Sequence, residues 1–342
     1  MGRLAQKVIH WQRIHGRHTL PWQTPATPYR VWISEIMLQQ TRVETVIPYF
    51  LRFMDTFPEL EALAMATRDQ VLTLWSGLGY YNRARNLHQA AGLAIEQWGE
   101  LPADLEKLQS LPGIGRSTAG AIVSLGFGRP APILDGNVKR LFCRLFGIEG
   151  WPGGTKVQKQ LWTLAERHLP HDECASYNQG LMDLGATLCR RKSTLCSQCP
   201  LATDCNALQH GLTDRLPTPR PTRTLPEKHC TLWWLERDGK LLLHRRPENG
   251  IWGGLWSLPQ QGAHMQLPAW LQRQLPENSP VRLKLRHSFS HFHLHIRVRE
   301  STLAHLPRRL EPAWCWQPVE ELEQLGLPAP IRSITRSLRK PS

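Results

Sequence analysis

Leu111-Pro112-Gly113-Ile114-Gly115-Arg116, closed further on by Asp135-Gly136-Asn137, is the stretch whose reading decides the fold. Leu105 and Leu108 stand at helical spacing before it, so 104–110 reads as a short helix. Pro112 stops that helix, and Gly113 with Gly115 permit a tight turn that side chains would crowd. A second helix begins near Arg116, with Ala119, Ile122, Val123 and Leu125 along one face. A hairpin of this form aims backbone N–H groups and a helix N-terminus at whatever lies over the glycines. An anion fits there, and on a duplex that anion is a phosphate. Gly-Ile-Gly alone is also what a plain loop between two core helices looks like. Asp135 adds chemistry, because it ends the apolar run Ala131 to Leu134 where a carboxylate can face the phosphate-anchored backbone.

These residues resemble the helix-hairpin-helix DNA glycosylases, whose hairpin is followed by a Gly/Pro-rich loop and a catalytic Asp. Working back from the hairpin, residues 1–23 read as a helix ending at Leu20-Pro21-Trp22. Val31, Ile33, Ile36, Met37 and Gln40 open another that runs to about Thr45. Glu35 lies inside this largely apolar helix. It is either a solvated residue on the polar face or an acid whose pKa is raised by desolvation, ready to donate a proton. Gly77-Leu78-Gly79-Tyr80-Tyr81 precedes Asn82-Arg83-Ala84-Arg85. That run suits a loop that pushes an aromatic wedge between bases while arginines hold phosphates, or a helix start with its tyrosine packed inward. Beyond Asn137, Val138, Leu141, Phe142 and Leu145 predict a helix with Lys139, Arg140 and Arg144 on its other side. No strand pattern interrupts 1–205, so this half is all-α.

At 342 residues the chain has room for two domains, and its net charge of +14 favours a polyanionic partner. It has no apolar run of membrane-spanning length and no signal-peptide core, which predicts a soluble intracellular protein. The basic stretch Met1 to Arg13 reads as an ordinary first helix rather than a transit peptide. Of eight cysteines, Cys143, Cys174, Cys230 and Cys315 are scattered and read as buried thiols. Cys189, Cys196, Cys199 and Cys205 cluster as Cys-x6-Cys-x2-Cys-x5-Cys, four thiolates close enough to surround one metal centre. Spacing alone does not separate tetrahedral zinc from a cubane iron–sulfur cluster. Arg190, Arg191 and Lys192 inside this loop can present charge to DNA.

Residues 207–228 read as a linker, with Pro217, Pro219, Pro221 and Pro226 among polar and basic residues. The composition then changes. Cys230 to Leu235 and Lys240 to His244 predict strands paired around Asp238-Gly239. Val281, Leu283 and Leu285 alternate with Arg282, Lys284 and Arg286, and Leu294, Ile296 and Val298 with His293, His295, Arg297 and Arg299. This pattern predicts a two-stranded ribbon with one apolar and one basic face, tipped by Phe289-Ser290-His291. Helices near 319–325 and 331–338 make the second domain α+β.

The four-cysteine loop resembles the [4Fe–4S] loop of the endonuclease III and MutY glycosylases. Trp252-Gly253-Gly254-Leu255-Trp256 resembles the Nudix-like C-terminal domain of the MutY family. The paired glutamates that hold magnesium in Nudix hydrolases are missing, since 259–282 carry only Glu277, and pyrophosphate hydrolysis is not expected. With Trp32-Ile33-Ser34-Glu35 and Gln39-Gln40-Thr41, the resemblance covers nearly the whole chain. It implies a helix-hairpin-helix domain over 1–206 with its iron–sulfur loop at 189–205, a linker, and a Nudix-like domain over 229–342. The implied activity is hydrolysis of the N-glycosidic bond of adenine mispaired with 8-oxoguanine or guanine in duplex DNA. Glu35 is then the acid, Asp135 stabilises the sugar cation and Asn137 hydrogen-bonds the site. Tyr80 would act as the wedge and Gln40 would enter the vacated space, Arg83, Arg85, Gly113, Gly115, Ser117 and Lys139 would touch DNA, and Phe289, Ser290 and His291 would read the lesion. A monomer in the bacterial cytoplasm at the nucleoid is implied, with replication or repair partners left open.

Endonuclease III-like relatives carry a lysine where Ser117 stands, and a hydroxyl forms no imine, so the resemblance points to a monofunctional enzyme. Lys139 is near enough in sequence to trap an abasic aldehyde incidentally. The rival expectations are a bifunctional endonuclease III-like glycosylase/lyase, opposed by Ser117, and a non-catalytic iron–sulfur DNA-binding protein, opposed by Glu35 with Asp135.

Overall fold

A computed structural model describes residues 2–339 apart from 223, 249, 263, 264, 277, 306 and 308. Glu277 therefore lies outside the described residues. The chain opens with α1 (Arg3–His15), which buries Val8, Ile9 and Trp11. It ends at Gly16 rather than at Trp22, because Gly16 N–H closes the last turn onto Gln12 O at 2.8 Å and the chain then extends. Next comes α2 (Pro28–Leu38), started by Thr27, whose side chain accepts from Arg30 N–H, and by Pro28 at a position needing no N–H donor. Seven of its eleven residues are buried, so the helix is enclosed nearly all round. The single helix expected to reach Thr45 breaks after Leu38. Gln40 takes φ 59° there, and α3 (Val43–Thr56) starts afresh.

The helices α4 (Leu60–Met65), α5 (Arg68–Leu74), α6 (Asn82–Trp98), α7 (Leu105–Ser110) and α8 (Arg116–Ala121) follow. Asp104 caps α7, and α8 runs into one π-helical turn at Ile122–Gly126. After the Pro-containing loop come α9 (Gly136–Leu145), α10 (Thr155–His168), α11 (Cys174–Thr187) and the short α12 (Asn206–Gln209). The core between them gathers Val8 and Ile9 of α1, Leu141 and Phe142 of α9, and Tyr177, Leu181 and Leu184 of α11.

The chain forms two compact units, Met1–Met65 with Asn86–Thr222, and Ala66–Arg85 with Arg223–Ser342. This differs from a division at 206 and 229 in two places. Part of the presumed linker packs on the helical unit, where Leu216 O accepts from Arg144 Nε at 2.7 Å and Thr218 Oγ1 from Gly150 N–H at 2.9 Å. Residues 66–85, expected with the helices, belong to the sheet unit, where Leu72 of α5 lies beside Gly254 and Gly326.

The sheet unit contains β1 (Glu227–Trp234), β2 (Glu236–Arg237), β3 (Lys240–Arg245), β4 (Trp256–Ser257), β5 (Gln260–Gly262), α13 (Ala269–Gln272), β6 (Val281–Ser288), β7 (His293–Glu300), β8 (Trp314–Pro318) and α14 (Ala329–Arg339). One sheet has the order β5-β1-β7-β6, and β3 centres the other between β8 and the pair β2, β4. The hairpin at Asp238-Gly239 thus joins β2 to β3, while β1 enters the other sheet, parallel to β7. The expected ribbon of β6 and β7 is present, but β7 is an interior strand. Leu294, Ile296 and Val298 are at most 1% exposed, and Leu283 and Leu285 of β6 stand opposite Val298 and Ile296. On its other face Arg286 and His295 share Glu227, and Arg282 meets Glu300, so the basic face is partly neutralised. Val319–Gln324 is a 3₁₀ turn where a helix was expected.

Candidate active site

Glu35 and Asp135 line one cleft of about 1230 Å³ in the helical unit, together with Gln40, Ser117, Asn137, Arg140 and Gln179. No hydrogen bond reaches the Glu35 carboxyl among the described residues. Burial first, and the negative charge of Asp135 second, push its pKa up to about 8. The apolar surroundings of α2 that made Glu35 conspicuous in the sequence are the physical cause.

Asp135 sits in a different setting. It caps α9, with Oδ1 accepting from Asn137 N–H at 3.0 Å and Val138 N–H at 2.8 Å. Its Oδ2 accepts from Asn137 Nδ2 at 3.0 Å. Burial raises its pKa above the usual carboxylate value, while the Val138 and Asn137 backbone donors, the Arg140 charge and the Asn137 amide pull it back. One acid has no hydrogen-bond donor among the described residues, and the other is solvated by fixed donors.

Asn137 is held at both ends of its amide, since Oδ1 accepts from Arg140 Nη2 at 2.9 Å. Arg140 also donates to Gly185 O at 2.6 Å and Cys189 O at 2.8 Å. Gly185 lets α11 approach this closely, because a Cβ there would meet Asn137 Cβ at 2.7 Å. Placing Arg140 with Lys139 and Arg144 on the side of the helix away from its apolar face missed this role. The signal was present, as residue 140 stands one turn from Asn137. Lys139 is not among the residues lining the cleft, and no lysine lines it among the described residues. The sequence reading also missed Asp183, fully buried, which accepts from Arg17 N–H and Nε and from Gln179 Nε2 at 2.7–2.9 Å. A carboxylate accepts only, so it fixes which way the Gln179 amide faces.

Ser117 Oγ accepts from Leu134 N–H at 3.1 Å, tying the hairpin helix to the loop that delivers Asp135. Gly113 takes φ 80°, and a Cβ on it would come within 2.9 Å of Asn86 Cβ, so the turn excludes any side chain. A Cβ on Gly115 would meet nothing within 4 Å, leaving the backbone over the hairpin open.

In the sheet unit, the tyrosines divide. Tyr80 takes φ 50° and is 49% exposed, whereas Tyr81 is buried. The two arginines are not aimed outward as phosphate ligands. Arg83 is buried, with Nη2 on Gly79 O and its guanidinium against the Trp75 and Tyr80 rings, and Arg85 is engaged by Gly253 O and Asn82 Oδ1. At the β6–β7 tip, Phe289 is half-buried, stacked on Phe292 at 4.5 Å and packed against Trp252 and His287. Ser290 and His291 remain exposed.

The four clustered cysteines are all free thiols around a cavity of about 20 Å³ lined by Leu141, Leu188, Leu195, Leu201 and Leu208. They do not close on a single metal-ion position among the described residues. Burial pushes Cys199 up to about 11, and the other three thiols add to it. Arg144, 3% exposed, donates to Cys189 Sγ at 3.3 Å and to Arg190 O at 2.7 Å. No carboxylate pairs with Arg144 among the described residues.

Residues 33–167 match the family described as HhH-GPD superfamily base excision DNA repair protein, and 230–337 match the NUDIX domain. The helical part is similar to a solved thermostable thymine-DNA glycosylase (27% identity, TM-score 0.55, covering 60% of this chain and 95% of that one). The adenine DNA glycosylase of Buchnera aphidicola subsp. Schizaphis graminum is 36% identical over 96% of this chain and 97% of its own length. That of Mus musculus is 33% identical over 94% of this chain and 75% of its own. With an acid and a hydrogen-bonded carboxylate in one cleft and similarity running the length of both units, the chain belongs to the adenine DNA glycosylase family.

Proposed function

We propose that this protein hydrolyses the N-glycosidic bond of adenine opposite 8-oxoguanine or guanine in duplex DNA and leaves an abasic site. The observation that carries this reading is the contrast between Glu35 and Asp135 in one cleft. Adenine leaves poorly as an anion. Glu35, still protonated near neutral pH, donates its proton to N7 of the extruded base, and the C1′–N9 bond breaks toward an oxocarbenium-like sugar. Asp135 stabilises that cation, with Asn137 and Arg140 holding its geometry, and water completes the product. Ser117 and the lysine-free cleft lining favour a monofunctional enzyme, because no amine stands ready to form an imine. Exposed Tyr80 acts as the wedge, and Gln40, exposed at the cleft wall, enters the vacated space. The enzyme works in the bacterial cytoplasm on nucleoid DNA.

The direct test is an 8-oxoguanine:adenine duplex scored for abasic product with and without alkali. Product that needs alkali to break supports hydrolysis alone, and strand breaks without alkali overturn the monofunctional reading. Because Glu35 must carry its proton to act, single-turnover excision should fall by up to about tenfold per unit above about pH 8, and it should also fall at acid pH, where Asp135 takes up a proton and loses its charge. A rate that keeps rising through pH 9 would remove Glu35 from this role.

Ser290 and His291 read the lesion. 8-Oxoguanine carries a hydrogen on N7, so its reader must offer an acceptor where guanine needs a donor. The Ser290 hydroxyl or carbonyl suits that need. A single such bond is worth roughly 0.5–1.5 kcal/mol. Replacing Ser290 and His291 together by Ala should lower the preference for 8-oxoguanine:adenine over guanine:adenine by about tenfold. Basal adenine removal should persist. An unchanged ratio of excision efficiencies would place lesion reading elsewhere.

Cys189, Cys196, Cys199 and Cys205 hold a [4Fe–4S] cluster in this proposal. The residues fit the group: four free thiols share one apolar-walled cavity, and buried Arg144 has positive charge to set against thiolate-bound iron. Purified protein should be brown, with iron and acid-labile sulfide each near four per chain. Stoichiometric zinc in protein prepared without air would overturn the assignment.

A further inference from the structure

The turn that carries Tyr80 is held by a segment about 250 residues later in the chain. Leu327, 1% exposed, lies just before α14, and its carbonyl accepts two hydroxyls. One is Ser76 Oγ at 3.1 Å, at the start of the turn, and the other is Tyr81 Oη at 3.1 Å, at its end. Tyr81 Oη in turn accepts from Gly77 N–H at 3.1 Å, so backbone, phenol and carbonyl form one chain of donors. Arg332 on α14 donates through Nη2 to Ser76 Oγ at 2.6 Å and to Leu325 O at 3.2 Å. The next tie is Arg85, held by Gly253 O. Both ends of the turn are therefore fastened to one carbonyl, and Tyr80 presents an exposed side chain between them, in a left-handed conformation that a non-glycine residue rarely adopts.

We infer that Tyr81 and Arg332 are positioning residues for base extrusion: through the Leu327 carbonyl they fix where the Tyr80 wedge stands. This rests on reading Tyr80 as the wedge. A wedge on a loose turn spends binding energy on its own ordering. Held at both ends, it meets the stacked bases already in place. The turn lies in the part of the sequence that reads as the catalytic domain, while its anchor lies in the part that reads as the lesion reader. The same unit that presents Ser290 and His291 thus also presents the wedge.

The test is a double-mutant cycle on base extrusion, followed by the fluorescence of 2-aminopurine placed at the target position of an 8-oxoguanine duplex, with full-length protein. Tyr81→Phe removes the hydroxyl and keeps the ring, and Arg332→Met removes the guanidinium from Ser76. If either variant fails to fold by thermal melt, the other carries the test. Each should slow extrusion by about threefold to tenfold when Tyr80 is present, and by less than about twofold in a Tyr80→Ala background, because positioning a missing wedge has no effect. Equal factors in both backgrounds, or no loss with Tyr80 present, overturn the inference while leaving the wedge reading intact. Wild-type extrusion by Tyr80→Ala alone overturns the wedge reading and the inference with it.

Discussion

Glu35→Gln should lose single-turnover adenine excision by at least about 10²-fold, the scale on which general acid catalysis operates. Gln keeps the volume and polarity of the side chain but has no proton to give, and the change removes no phosphate contact. Binding to the mispair should therefore survive. The same substitution should also move stability, and the sign follows from linkage. The folded-state pKa of about 8 lies above the ordinary value of 4.5, so the folded chain binds a proton that the unfolded chain releases between those values. The contribution of Glu35 to wild-type stability is fully present below about pH 4.5 and is lost as pH rises to about 8. Gln carries no such decline. The melting temperature of the variant should thus gain on wild type between pH 5 and pH 8, measured by melts at several pH values. Near-normal excision by the variant would end the assignment of Glu35 as the acid. A melting difference independent of pH would show that Glu35 ionises at an ordinary pH.

The second large effect is expected at Asp135. Asp135→Asn can still accept from Asn137 N–H and Val138 N–H through its amide oxygen, and Asn is a good N-cap, so α9 should keep its start. What disappears is the negative charge facing the developing sugar cation, together with the acceptor for Asn137 Nδ2. Removing a preorganised electrostatic partner of that kind costs about 10²- to 10³-fold. Asp135→Ala should lose the same activity and also roughly 1 kcal/mol of stability, because two backbone donors lose their acceptor. Single-turnover rates paired with denaturant melts separate these losses. Excision by Asp135→Asn within about threefold of wild type would mean that the cation is stabilised elsewhere.

The two carboxyl residues that share the cleft were legible in the sequence because each violates its surroundings. Glu35 interrupts an apolar helix, and Asp135 follows an apolar run that ends beside a glycine hairpin. Local chemistry of that sort survives folding. What stayed hidden was contact between distant segments. Arg140 looked like one more surface cation until α11 brought Gly185 O and Cys189 O to it. Asp183 carries no local signal, since its partner Arg17 is 166 residues away. Arg83 and Arg85 read as phosphate ligands from composition, but Trp75, Gly79 O and Gly253 O satisfy them first. The helix boundaries that moved, at Gly16 and at Gln40, moved because single residues there leave helical geometry while the apolar periodicity runs on. The assignment of 66–85 to the helical half failed for the same reason as Asp183: helical periodicity specifies a buried face but not which unit buries it.

The chain order of the sheet unit has a consequence for synthesis on the ribosome. Ser76 and Tyr81 emerge early, but the Leu327 carbonyl that receives both is made 251 and 246 residues later. At roughly 5–20 residues per second, that separation corresponds to about 12–50 s of translation. Throughout that interval the carbonyl that receives Ser76 and Tyr81 does not exist, whereas the helical unit that flanks residues 66–85 in sequence has all its segments once residue 222 is made. Residues 66–85 thus wait for Leu327 before their native ties can form, which leaves this segment open to chaperone capture or proteolysis during synthesis.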